Sequence, residues 1–114
     1  PRVTVDVVDV AVRIADVARD AHVPRFDAIV LDMYEGPQTR VRPNDPLYGP
    51  SAVLRVRKAL APNGVFAVWC EGGSAGFERS LRAAGFRYQL ERSGFGARIH
   101  YVYVARASAA GVVR

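Results

Sequence analysis

Phe26-Asp27-Ala28-Ile29-Val30-Leu31-Asp32-Met33-Tyr34-Glu35-Gly36-Pro37 is the stretch that decides the fold. Ala28 to Leu31 is a continuous apolar run, too short for a helix. Such a run suits a strand covered on both faces, as in a parallel sheet. The strand is expected over about Phe26 to Met33, and Gly36-Pro37 ends regular structure after it. In open α/β sheets, ligands bind beyond the carboxyl ends of the strands. Asp32 and Glu35 therefore stand where such a sheet does its chemistry.

Upstream, Arg2 to Val8 alternates and is rich in Val, which reads as a strand. Asp9 can cap the helix that follows, and Val10, Ile14, Val17, Ala18 and Ala21 share one helical face. With the central strand these pieces make a βαβ unit. Downstream, Gln38 to Gly49 is a polar loop containing Pro43 and Pro46. Ser51 opens a helix to about Ala61, with Val53, Val56 and Leu60 facing inward. Pro62-Asn63-Gly64 reads as a sharp turn, and Val65 to Cys70 as a second buried strand. Glu71-Gly72-Gly73 leaves that strand on the same sheet edge as Asp32 if the two strands are parallel. Ser74 caps a third helix carrying Phe77, Leu81 and Ala84, and Gly85 stops it. Arg87–Ser93 and Arg98–Arg106 form an antiparallel hairpin around Gly94-Phe95-Gly96. The expectation is a single domain over residues 1–107 with a flexible tail at 108–114.

Composition narrows the function. Of the 114 residues, 50% are hydrophobic, enough for a real core. No apolar run is long enough for a membrane span, and no signal-peptide pattern is present, so a cytoplasmic protein is expected. Cys70 is the only cysteine, which excludes an intrachain disulfide and a cysteine zinc cluster. No His, Asp and Glu spacing suggests a metal site. No Gly-x-Ser-x-Gly or Cys–His signature suggests a hydrolase. The net charge of +5 is carried by scattered arginines and one lysine, Lys58, a solvated surface rather than a nucleic-acid patch.

The order of elements resembles the C-terminal half of class I S-adenosylmethionine-dependent transferases, and within them the spermidine synthase-like family. That family's Asp-x-x-Asp-Gly-Pro corresponds to Asp32-Met33-Tyr34-Glu35-Gly36-Pro37, with Glu replacing the second Asp. Its Ala-Leu-x-Pro-Gly-Gly-Val segment corresponds to Ala59-Leu60-Ala61-Pro62-Asn63-Gly64-Val65. Phe77 to Phe86, with its Ala-Gly-Phe ending, is also similar. The resemblance implies a Rossmann-like, class I methyltransferase-type sheet, incomplete, with about five strands, three helices and the C-terminal hairpin. It implies S-adenosylmethionine or its decarboxylated form as co-substrate and a small molecule, such as a diamine, as acceptor. Polyamine biosynthesis would follow from the aminopropyl version. By the same resemblance Asp9 contacts the adenine amino group, Asp32 is the catalytic carboxylate and contacts the co-substrate, and Glu35 is the second catalytic acid. Tyr34, Tyr48 and Glu71 become candidates for holding the acceptor.

Each residue also has a plainer role open to it. Asp32 can cap a loop, Glu35 can be a solvated acid, Asp9 can be a helix cap, and Tyr48 can be packing. Trp69 and Cys70 read as core or strand-end residues, and His22 and His100 as ordinary helix-end and strand residues.

One part of the family pattern is absent. No glycine-rich loop joins a first strand to a first helix, so the nucleoside site is incomplete. In the family sheet, Arg2–Val8 lies at an edge, separated from Phe26–Met33 by two strands that this sequence lacks. A longer parent protein, a second chain or a homo-oligomer can fill that gap. Alternatively Arg2–Val8 moves beside Phe26–Met33 through a right-handed crossover. Three functions remain open: an aminopropyltransferase, a methyltransferase of small molecules, and a noncatalytic Rossmann-like subunit that pairs with another chain.

Overall fold

A computed structural model describes residues 3–33, 35–96 and 98–107, with backbone only for Phe95 and Arg98. The tail expected at 108–114 lies outside the described residues, as does Tyr34. The elements run α1 (Val10–Arg19), β1 (Phe26–Leu31), α2 (Pro50–Ala59), β2 (Leu60–Cys70), α3 (Ala75–Ala83), β3 (Phe86–Phe95) and β4 (Arg98–Ala107).

The four strands form one open sheet in the order β1-β2-β4-β3. β1 and β2 are parallel, and β4 runs antiparallel to both β2 and β3. The two apolar runs of the sequence are thus the parallel pair, and the hairpin extends the sheet beyond β2.

Local chemistry accounts for the helix ends. The Asp9 carboxylate accepts from the N–H groups of Ala11 at 2.8 Å and Val12 at 3.3 Å, starting α1. Pro50 sits in the first turn of α2, where its missing N–H costs nothing. The Ser74 hydroxyl accepts from the Phe77 N–H at 3.1 Å and caps α3. Gly85, at φ +87°, ends α3 in a conformation that disfavours any side chain. Arg57 reaches from α2 to this corner and donates to the Ala84 carbonyl at 2.9 Å.

The core lies between the sheet and a single layer of helices. Ile14 and Val17 of α1, Val53 and Val56 of α2, and Phe77 and Leu81 of α3 pack toward Ile29, Leu31, Phe66, Val68 and Tyr103. Phe77 is its aromatic centre, edge-on to Tyr48 (5.5 Å), Phe66 (6.1 Å) and Tyr103 (5.2 Å).

Three expectations change. Residues 3–7 form no strand, so the sheet has four strands rather than five among the described residues, and the first βαβ unit is not closed. An alternating segment becomes a strand only when a neighbour offers its hydrogen bonds, and no described residue does so here. Nor does this segment move beside β1. Second, Pro62-Asn63-Gly64 is not a turn ahead of β2 but lies inside it. The pairing steps from Phe26↔Leu60 to Ala28↔Val65, so the extra residues on β2 bulge out and leave Pro62 and Asn63 exposed. Third, α1 ends at Arg19, short of Ala21, and Val10 is 39% exposed rather than packed.

Candidate functional site

Parallel pairing brings the carboxyl ends of β1 and β2 to the same edge, where Asp32 and Glu71 leave the sheet. Two adjoining cavities open there. One, of about 440 Å³, is lined by Asp32, Met33, Gly36, Trp69, Cys70, Glu71 and His100. The other, of about 400 Å³, is polar and is lined by Glu35 to Thr39 and by Glu71, Gly72 and Gly73. Gly36 and Glu71 belong to both. The fold thus gathers three of the expected acids, Asp32, Glu35 and Glu71, around one sheet edge, all three exposed to solvent.

Gly36 sets the distance between the loop and the sheet. A Cβ there would stand 2.8 Å from the Trp69 carbonyl oxygen and 3.1 Å from the Cys70 Cα. Only glycine lets the chain after β1 lie against the end of β2 this closely. The next part of the loop is held just as firmly. The Gly76 N–H donates to the Thr39 carbonyl at 3.0 Å, and the Ser74 hydroxyl donates to the Gln38 carbonyl. Asp45 accepts from the N–H groups of Leu47 (2.9 Å) and Tyr48 (2.8 Å), folding the far arm of the loop into a turn.

Tyr48 lines neither cavity. It is buried, and its hydroxyl donates to the Glu35 carbonyl at 3.2 Å. Burial first, then the charges of Asp45 and Cys70, push its pKa up to about 12. Its place is therefore beneath the acidic loop. Cys70 is also buried, its thiol turned to the Tyr101 carbonyl at 3.6 Å, and burial raises its pKa. Asp9 is the α1 cap and lines neither cavity.

Sequence reasoning reads Trp69 and His100 as ordinary strand residues and passes over Tyr103, yet the structure makes all three prominent. Trp69 and His100 meet edge-to-face at 6.4 Å and form the aromatic side of the larger cavity. The signal was available only through strand pairing, because Trp69↔Val102 puts His100 on the same sheet face two residues along. Tyr103 stands behind the glycine turn. Its hydroxyl accepts from the Ser74 N–H at 2.7 Å and donates to Glu78 at 2.6 Å. Burial, then the Glu78 hydrogen bond, pushes its pKa upward.

Gly72-Gly73 does join a strand to a helix, yet the α3 start is already occupied. Ser74 N–H is taken by Tyr103, Gly76 N–H by Thr39, Phe77 N–H by the Ser74 side chain and Glu78 N–H by the Ser74 carbonyl. Little remains to cradle a ligand. Among the described residues, no group of three or more His, Cys, Asp or Glu side chains is placed to hold a metal ion. No described helix is long and apolar enough to cross a membrane.

No protein-family model matches the chain, and no curated protein does either. Among solved structures, human methyltransferase-like protein 13 in complex with SAH is similar, with a TM-score of 0.61 at 20% identity. The match covers 91% of this chain and 49% of that one, so the chain spans about half the length of the structure it matches. The likeness shows the fold: a mixed α/β, class I methyltransferase-type architecture with an open four-stranded sheet.

Proposed function

We propose that this chain is the acceptor-side half of an S-adenosylmethionine-dependent transferase, acting by methyl transfer to a small amine. The observation that carries this is the position of Asp32. It leaves a parallel strand at its carboxyl end, into a cavity it shares with Glu71, on a methyltransferase-type sheet. The structural neighbour's complex with SAH supports methyl transfer as the first reading.

The bound co-substrate would supply an electrophilic carbon beside a sulfonium. The residues of this chain act on the acceptor. An amine is protonated near neutral pH and must lose a proton before its lone pair can attack. The Asp32 carboxylate accepts that proton and orients the nitrogen. Glu71, between the two cavities, holds positive charge nearby. The Trp69 indole offers a face to a cation or to its carbon stem, worth roughly 0.5–2 kcal/mol.

Aminopropyl transfer is the second reading, and one observation favours it. The second cavity, lined by Glu35 and Glu71, adjoins the first and suits the far ammonium of a diamine. Decarboxylated S-adenosylmethionine would then be the co-substrate.

Incubation of the whole polypeptide with either co-substrate and a panel of small amines tests both readings. Mass spectrometry separates an added methyl from an added aminopropyl group. Asp32→Asn is expected to cut turnover by about 10²–10⁴-fold. Because Asp32 is exposed, the variant should keep the fold by circular dichroism. Unchanged turnover removes Asp32 from the chemistry. No transfer to any amine by the unaltered protein favours the noncatalytic subunit instead.

A further inference from the structure

In the strand order β1-β2-β4-β3, β3 lies at an edge and β4 does not. Charge on an edge strand discourages further pairing, which accounts for Arg87, Glu91 and Arg92 on β3. It does not account for Arg106. That residue lies on the inner strand β4, with Val65 on one side and Arg87 on the other. Arg87 and Arg106 are direct cross-strand partners, and like charges placed opposite one another destabilise a sheet. No acid offsets the pair: the one ion pair among the described residues joins Arg19 to Asp16. Arg25, Arg57 and Arg82, by contrast, each donate to a carbonyl or hydroxyl of the fold.

Tyr88 packs edge-on against the buried Tyr103 at 5.8 Å, on the face that the helices cover. Arg87 and Gln89, its neighbours along β3, therefore stand on the opposite face. There Arg87, Tyr88, Gln89, Glu91, Val104 and Arg106 line a groove of about 320 Å³. It shares no residue with the Asp32 cavity. Arg106 is level with Val65, four residues and about 13 Å along β2 from the Trp69 wall of that cavity.

The contents of the groove define what it can hold. Two guanidiniums side by side at one end offer planar forks that match phosphoryl oxygens. A phosphate monoester carries about −1.5 to −2 charges near neutral pH and so balances both cations, whereas a carboxylate balances one. The Gln89 amide can donate to a further oxygen. Glu91 stands beyond Gln89, about 13 Å along β3 from Arg87. A polyanion laid along the groove would bring a second phosphate toward that carboxylate, and a single phosphoryl group does not.

We propose that Arg87, Arg106 and Gln89 form a binding site for the phosphate monoester group of a small molecule, on the hairpin and apart from the Asp32 cavity. The ligand relieves the repulsion between the two arginines, and Glu91 closes the groove to longer polyanions. The site does not rest on the transferase reading, because no residue that reading uses takes part in it.

Titration of the whole polypeptide with inorganic phosphate and with glycerol phosphate, at an ionic strength held constant with chloride, tests this. Saturable shifts of the Arg87, Gln89 and Arg106 resonances are expected by NMR, with acetate binding more than ~10-fold more weakly. Arg87→Gln and Arg106→Gln should each weaken phosphate binding by ~10-fold or more. Both residues are exposed, so the variants should keep their circular dichroism spectra. A stability readout accompanies the titration. Without phosphate, each variant should melt up to about 3 °C above the unaltered protein, because the like-charge opposition is gone. Phosphate at tenfold its Kd should raise the melting temperature of the unaltered protein by about 3–8 °C, and that of each variant by under about a third as much.

Absence of saturable binding by either phosphate overturns the proposal. So does undiminished binding in both variants, which puts the ligand elsewhere, or acetate binding as tightly as phosphate, which makes the pair a general anion patch. A short single-stranded oligonucleotide without terminal phosphates that binds more tightly than glycerol phosphate, through the same two arginines, also overturns it, because the occupant is then a nucleic acid. A phosphoserine peptide that does so overturns it in favour of a protein partner.

Discussion

The buried hydroxyl of Tyr48 donates to the backbone carbonyl of Glu35 at 3.2 Å, so an aromatic side chain of the long loop fixes the acidic loop from beneath. Tyr48→Phe keeps the ring packed edge-on against Phe77 and removes only that bond. The expected cost is about 0.5–1.5 kcal/mol, or a melting temperature lower by about 3–8 °C. Thermal unfolding by circular dichroism checks it.

Tyr48 also predicts an alkaline limit. Its pKa in the folded protein is pushed up to about 12, above that of a tyrosine in the unfolded chain near 10. Between these values the unfolded state has released a proton that the folded state retains. Stability from this group is thus full below about pH 10 and lost as the pH rises toward 12, by about 2–3 kcal/mol. Urea unfolding between about pH 9 and about pH 11.5 should show the decline, and Tyr48→Phe should make it shallower, with Tyr103, whose pKa is also raised, supplying the remainder. An identical slope in the variant would assign the alkaline loss to other groups.

Gly36 and Gly72 should respond oppositely to alanine. At Gly36 the new Cβ would lie 2.8 Å from the Trp69 carbonyl oxygen, and backbone must move. A loss of roughly 1–3 kcal/mol is expected. At Gly72 nothing lies within 4 Å, so alanine should be neutral or stabilise by up to about 1 kcal/mol. Paired denaturant titrations of the two variants decide this.

Tyr103→Phe withdraws one partner from Ser74 and one from Glu78 in a single change. Glu78 retains the Tyr88 hydroxyl at 3.0 Å, which limits the damage. The expected cost is about 1–3 kcal/mol. Amide exchange should rise at Ser74 before it rises in the β2 strand, showing that the glycine turn loosens first.

Asp9 separates two roles by two substitutions. As a helix cap, Asp9→Ala should cost about 0.5–2 kcal/mol, while Asp9→Asn should be almost neutral, because asparagine caps equally well. The adenine contact that the resemblance implies needs a second acceptor oxygen beside the capping Oδ1, which asparagine lacks. Weaker co-substrate binding by the Asn variant at unchanged stability would reveal that second role.

What the sequence made legible was local. Ala28–Leu31 and Val65–Cys70 announced buried strands by composition, Ser74 and Gly85 bracketed α3, and Gly94-Phe95-Gly96 marked the hairpin. What depended on distant partners was not legible. Val3, Val5 and Val7 alternate as a strand should, but alternation cannot supply the neighbour whose hydrogen bonds make one. Pro62-Asn63-Gly64 reads as a turn, yet the register step against β1 absorbs it as a bulge.

The site divides along the same line. The placement of Asp32, Glu35 and Glu71 at one sheet edge is legible because strand ends and apolar runs can be read along the chain. The roles of Tyr48 and Trp69 were not. A loop tyrosine serves equally as a cavity wall or as an anchor, and packing against Phe77 makes Tyr48 the anchor. Trp69 and His100 come together only because β4 runs antiparallel to β2.

Calorimetric titration with S-adenosylmethionine and with its decarboxylated form tests the half-site account most directly. The purified 114-residue chain is predicted to give no saturable heat with either ligand, and the whole polypeptide to bind one of them with micromolar affinity. Saturable binding by the chain alone, or none by the whole polypeptide with either ligand, would contradict it.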